Sequence, residues 1–121
     1  MIQCEDVVGS IRWSPFEEGV VSWTEDGGFM EVFDLNANVR VLRKELAYRE
    51  EQRVHNKHPF THSHYDKNTI LVGYANGEVE FFDRRIGKVV KNAVDMDVPV
   101  VGDIQFTKDR SQYAVFGANA F

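Results

Sequence analysis

The stretch Val7-Val8-Gly9-Ser10-Ile11-Arg12-Trp13-Ser14 returns as Val100-Val101-Gly102-Asp103-Ile104-Gln105-Phe106-Thr107, at a constant offset of 93 positions. Each substitution keeps size class or polarity: Phe for Trp, Thr for Ser, Gln for Arg. A second echo lies inside the first. Asp26-Gly27-Gly28-Phe29-Met30-Glu31-Val32-Phe33-Asp34 reappears as Asn76-Gly77-Glu78-Val79-Glu80-Phe81-Phe82-Asp83, with the closing Phe-Asp pairs 49 positions apart. The longer offset is close to twice the shorter one. A period in the high forties marks an array of similar units, none of which can bury its apolar face alone.

Within each unit the residues read as strands. Ile11, Trp13 and the run Val20-Val21-Ser22-Trp23-Thr24 are β-branched and aromatic, in short segments bounded by turn formers. Ser14-Pro15-Phe16-Glu17-Glu18-Gly19 is a loop by its Pro and Gly. Asp26-Gly27 and Asn76-Gly77 predict hairpins with type I′ turns, which need positive φ at both central positions. Ile86-Gly87-Lys88-Val89-Val90 predicts a turn and a further strand, and a last unit turns at Lys108-Asp109-Arg110-Ser111. Val39 to Val54 departs from this pattern. Val39, Leu42 and Leu46 follow helical spacing, while Val39 and Val41 alternate as in a strand. This segment reads as a short strand from about Val39, followed by a charged, helix-compatible excursion through Tyr48, Glu50, Glu51 and Arg53.

The order is strand, polar turn, strand, Asp-Gly or Asn-Gly, strand ending in Phe-Asp, then a fourth strand. It resembles the WD-repeat β-propeller family through Ile11-x-Trp13-Ser14-Pro15, Ser22-x-Thr24-x-Asp26-Gly27, Val32-Phe33-Asp34 and Gly73-Tyr74-Ala75-Asn76-Gly77-x-Val79-x-Phe81-Phe82-Asp83. Both copies carry Phe-Asp where that family favours Trp-Asp, and the usual Gly-His dipeptide is absent. The resemblance implies an all-β chain of antiparallel four-stranded blades, one per repeat. It divides residues 1–121 into a blade at 7–42, a charged excursion at 43–57, a blade at 58–94 and half a blade at 100–121. A β-sandwich of hairpins would use the same strands but leave the 93-residue echo without a cause. Propellers close with about 4–8 blades, so two and a half blades need either further repeats of a longer protein or another chain at the open sheet edges. The repeat alignment also places Trp13 and Phe106 at equivalent buried positions.

Composition narrows the function classes. The charges, 14 basic against 19 acidic residues for a net of −5, disfavour general nucleic-acid binding, which needs clustered Lys and Arg. No apolar run reaches the roughly 20 residues that span a bilayer. Cys4 is the only cysteine, so no intrachain disulfide forms, which fits the cytoplasm or nucleus. No phosphate loop, cofactor motif or catalytic constellation occurs, and the expectation is a non-enzymatic protein-interaction scaffold.

Two sets of residues stand out as candidate sites. All four histidines, His55, His58, His62 and His64, fall within ten residues and precede Asp66. His62 and His64 alternate and share one face of a strand, where an imidazole pair could bind a transition metal or respond to pH. The plainer alternative is a polar strand whose imidazoles are hydrogen-bonded within the fold. On a propeller, Glu25, Asp26, Asp95 and Asp97 come to one rim, where they would steer a partner's Lys or Arg. The expected partners are therefore other proteins, through basic segments or through a chain that completes the propeller, with self-association at open edges.

Overall fold

The computed structural model describes residues 7–94 and 100–117. Among the described residues, ten strands and one helix occur in the order β1 (Val8–Trp13), β2 (Val20–Glu25), β3 (Phe29–Asp34), β4 (Val39–Glu45), α1 (Arg49–His55), β5 (Pro59–His64), β6 (Thr69–Tyr74), β7 (Glu78–Asp83), β8 (Lys88–Val94), β9 (Val101–Phe106) and β10 (Tyr113–Gly117). They form two four-stranded antiparallel meanders, β1–β4 and β5–β8, and a two-stranded sheet of β9 and β10. The first blade runs through Glu45 rather than ending at residue 42, because β4 pairs with β3 as far as Phe29 opposite Glu45.

Backbone hydrogen bonds give the true repeat register. The N–H groups of Ser14, Tyr65 and Thr107 donate to the carbonyls of Val20, Thr69 and Gln112, each closing the loop between the first two strands of its sheet. These positions are 51 and 42 residues apart, so the 93-residue echo is the sum of two unequal units. The middle copy hides at neither half, because α1 lengthens one connection and the β5–β6 loop is two residues shorter. In this register Ile11, His62 and Ile104 correspond, as do Trp13, His64 and Phe106, and also Ser22 and Leu71.

The hairpin turns differ from expectation. Positive φ occurs at Gly28 (96°), the residue after Asp26-Gly27, and at Gly77 (90°), the second residue of Asn76-Gly77, and not at both central positions; their N–H groups donate to the carbonyls of Glu25 and Tyr74. This is a turn with one left-handed glycine at its end, an arrangement common in three-residue hairpin loops. At Gly28 a side chain would also strike the Ala47 carbonyl oxygen at 2.4 Å.

The core lies between sheets. Val20, Met30, Val32, Leu46 and Ala47 from the first blade pack on Ile70, Val72, Tyr74 and Phe82 of the second. The opposite face of the second blade presents Leu71 and Val79 to Val101 and Ile104. Trp13 corrects the sequence expectation: it is 63% exposed, whereas Phe106 is half-buried against the Tyr65 ring, 5.6 Å away. Their positions are equivalent, but the β9 face packs on the second blade and the β1 face points away from it.

Gly73 permits the second contact, because a Cβ there would lie 2.3 Å from a Val101 methyl. Gly73→Ala should therefore cost about 1–3 kcal/mol through overpacking, measured by denaturant unfolding. Val101→Ala in the same background should recover part of that loss, a coupling that unrelated sites would not show.

Candidate functional site

Strand alternation aims His62 and His64 from β5 at the first blade, where β2 places Ser22 and β1 places Ser10. Ser22 Oγ lies 2.6 Å from His62 Nε2 and 2.7 Å from His64 Nε2, and 3.3 Å from the carbonyl of Arg12. Ser10 Oγ lies 2.5 Å from His62 Nδ1 and 3.2 Å from Thr24 Oγ1. Proton counting selects one consistent arrangement. Both imidazoles donate from Nε2 to the Ser22 oxygen, Ser22 donates to Arg12, and Ser10 donates to His62 Nδ1. His64 Nδ1 is then a bare lone pair, and it is the buried side-chain nitrogen without a partner among the described residues.

This network is enclosed. Ser22 and His62 are 0% exposed. Burial holds His62 unprotonated, pushing its pKa down to about 3, with His64 and Arg12 adding repulsion to a second positive charge. His64 falls to about 4, first by burial, then by Arg84 and Arg110, with Glu17 and Arg12 acting in opposite senses. The Ser22 hydroxyl touches two imidazoles while fully buried, so its geometry serves cohesion between the blades.

The histidine run separates in space. His55 ends α1 on the surface, and His58 is half-buried, bonded through its own backbone to Asn56 and Ala75. Asp66 accepts from the N–H groups of Asn68 and Thr69, both at 2.8 Å, and so caps its own turn. Among the described residues no three His, Cys, Asp or Glu side chains converge as a metal would require.

The acidic set is also redistributed. Glu25 is 0% exposed, with its carboxylate 3.0 Å from Arg43 and 3.1 Å from the Trp23 indole nitrogen. It is committed inside the first blade and presents nothing to a partner, contrary to the sequence reading. Glu31 shares Arg43 at 3.1 Å, and burial raises its pKa. Asp26 is exposed on its hairpin, and Asp95 and Asp97 lie outside the described residues. Nearby, Lys57 reaches Glu80 at 2.8 Å and faces Glu51 and Glu78 at 3.9 Å. Arg84 pairs with Glu17 at 2.7 Å, and Arg110 covers the Phe16 and Phe106 rings.

Sequence reading missed Ser22 as the centre of the seam. Its signal is a lone hydroxyl inside the apolar run Val20-Val21-Ser22-Trp23, at a position where the next repeat carries Leu71.

No protein-family model matches the chain, and no curated protein matches it. Solved structures do. A chain of a mitotic checkpoint complex superposes with a TM-score of 0.69 at 16% identity, covering 89% of this chain and 31% of that one. The β-propeller domain of Myceliophteria thermophila Cps50 (Swd1) superposes with a TM-score of 0.76 at 10% identity, covering 96% of this chain and 38% of that one. The chain thus spans about a third of the length of these neighbours. At such identities the likeness establishes the fold alone: the described residues are two four-stranded sheets and two further strands of β-propeller architecture.

The seam makes stability depend on pH. Unfolded histidine takes a proton near pH 6.5, while His62 and His64 resist it in the fold until about pH 3 and 4. Below pH 6.5 the unfolded state therefore binds more protons and stability falls. The slope approaches ~1.4 kcal/mol per pH unit for each histidine until its folded value is reached. Urea unfolding at pH 7, 6 and 5 should show this loss, and His64→Gln should reduce its slope by about half.

Proposed function

We propose that this chain is part of a protein-interaction scaffold, a propeller segment that holds protein partners in a larger assembly. The observation that carries this reading is the contrast between two equivalent sheet faces. Ile104 is 2% exposed under the second blade, whereas its counterpart Ile11 is 58% exposed beside Trp13 on the far side of the first blade. An apolar face of this kind marks an interface. The packing of its repeat-equivalent supports one kind of occupant: another β-sheet carrying small and aliphatic side chains, from the same or another chain.

The rim supplies a second contact in this reading. Asp26, with Asp95 and Asp97 in the connection before β9, meets Lys or Arg of a partner, and long-range attraction there affects association rate more than stability. No helix among the described residues is long and apolar enough to cross a membrane. Both ring nitrogens of His62 are occupied and His55 and His58 stand elsewhere, so the observations favour the interaction reading over a metal site.

The two tryptophans provide the test. Trp23 is buried within the blade and Trp13 is exposed. Acrylamide should quench Trp13 fluorescence readily in the separated chain and lose access to it in the assembly. Unchanged quenching in the assembled state would contradict the covered-face reading. Charge reversal at Asp26, Asp95 and Asp97 should slow association several-fold at low salt and leave the unfolding midpoint within experimental scatter.

A further inference from the structure

We propose that the cleft between α1 and the start of β5 is a docking site for an acidic peptide segment of a partner protein, held by Arg49 and Arg53. This deepens the scaffold reading and rests on it, by naming a second surface and the chemistry of its occupant.

The argument begins with where the arginines go. The chain has eight. Arg12 pairs with Asp103, Arg40 with Glu31, Arg43 with Glu25 and Glu31, Arg84 with Glu17, and Arg85 with Asp83. Arg110 donates to the His64 carbonyl and covers two aromatic rings. Arg49 and Arg53 alone have no ion-pair, hydrogen-bond or ring partner among the described residues, and both are exposed. They sit four apart on α1, one turn above each other on the same helix face, where like charges repel and weaken a short helix.

α1 lies in the connection between the two complete blades and buries none of its own residues. It is nevertheless held firmly in place. Gln52 donates to the carbonyls of Gly27 and Ala47, Glu51 accepts from the Tyr48 N–H at 3.0 Å, and Asn56 ends the helix in a left-handed conformation with φ 51°. A fixed helix that adds nothing to the core and keeps two unpaired guanidinium groups together is placed for an external ligand.

The cleft beside it has a volume of about 520 Å³ and is lined by Arg49, Glu50, Gln52, Arg53 and His58. Two planar guanidinium groups one helical turn apart suit two carboxylates of an extended or turn-forming peptide, each bound bidentately. Glu50 on the cleft wall disfavours a dense run of negative charge and limits the ligand to about two carboxylates. The net charge of −5 also opposes a polyanion such as RNA.

The test uses a fluorescein-labelled octapeptide with two glutamates spaced by leucine and serine, together with its glutamine counterpart. The glutamate peptide should bind in fluorescence anisotropy, and the glutamine peptide at least tenfold more weakly. Arg49→Ala with Arg53→Ala should weaken the glutamate peptide tenfold or more without changing the far-ultraviolet circular dichroism of the strands. A readout on the unsubstituted protein covers the case in which the variant misfolds. Phenylglyoxal should modify Arg49 and Arg53 before the other arginines, and the glutamate peptide should protect those two. Equal affinity for both peptides, protection of other arginines, or tighter binding of an oligouridylate would overturn the proposal. Trp13 quenching should not respond to the peptide, so failure of this site and failure of the covered-face reading are separately visible.

Discussion

The Ser22 hydroxyl decides how the two complete blades meet. It accepts from two imidazoles of the neighbouring blade in a space closed to water, beside the apolar layer of Met30, Val32, Ile70 and Phe82. A buried polar group stabilises only when its partners are all present, and leaving one unmade costs more than the bond contributes. The next seam solves the same geometry with carbon. Where the first blade offers Ser22, the second offers Leu71, and the facing positions change together from His62 and His64 to Ile104 and Phe106. Polar meets polar at one seam and apolar meets apolar at the other. This matching orders the sheets in the array, because a blade moved to the wrong seam would bury imidazoles against leucine.

Charge is arranged by the same economy. Several basic side chains are neutralised where they stand, including Arg43 deep against Glu25 and Lys57 among three glutamates. Burial also pushes the Tyr74 phenol well above its ordinary range, so it remains a donor to Glu80. The outer strands β4 and β8 carry Arg40, Arg43, Lys44, Lys88 and Lys91, and charged edges of this kind discourage unwanted strand pairing. The surfaces proposed for partners are an apolar face at Ile11 and Trp13, an acidic hairpin at Asp26, and the α1 arginines.

The blade architecture was legible because it rests on repeated local signals, the 93-residue echo and the paired Gly-containing hairpins. The excursion after β4 was legible as charged but not as a helix bounded at Arg49 and His55, since the helical spacing of Val39, Leu42 and Leu46 falls on β4 and just beyond it, ahead of the helix. Sites were harder to read, because burial is a property of the assembled sheets. Glu25 looks like any hairpin carboxylate in sequence, yet Arg43, eighteen residues away, draws it inside. His62 and His64 announced a shared face but not its partner, which lies forty residues upstream at Ser22. Trp13 shows the converse: its repeat position implied burial, and its exposure depends on which neighbour faces it.

The central claim is that each seam is matched across its two blades, and transplanting one seam into the other tests it most directly. Ser22→Leu alone should lose several kcal/mol, roughly 3 or more, because it leaves two buried imidazoles without their acceptor. Ser22→Leu combined with His62→Ile and His64→Phe copies the chemistry of the second seam. The account predicts that the triple variant recovers most of the lost unfolding free energy, since replacing all partners with apolar groups of suitable shape is close to neutral. A triple variant no more stable than Ser22→Leu alone would contradict it.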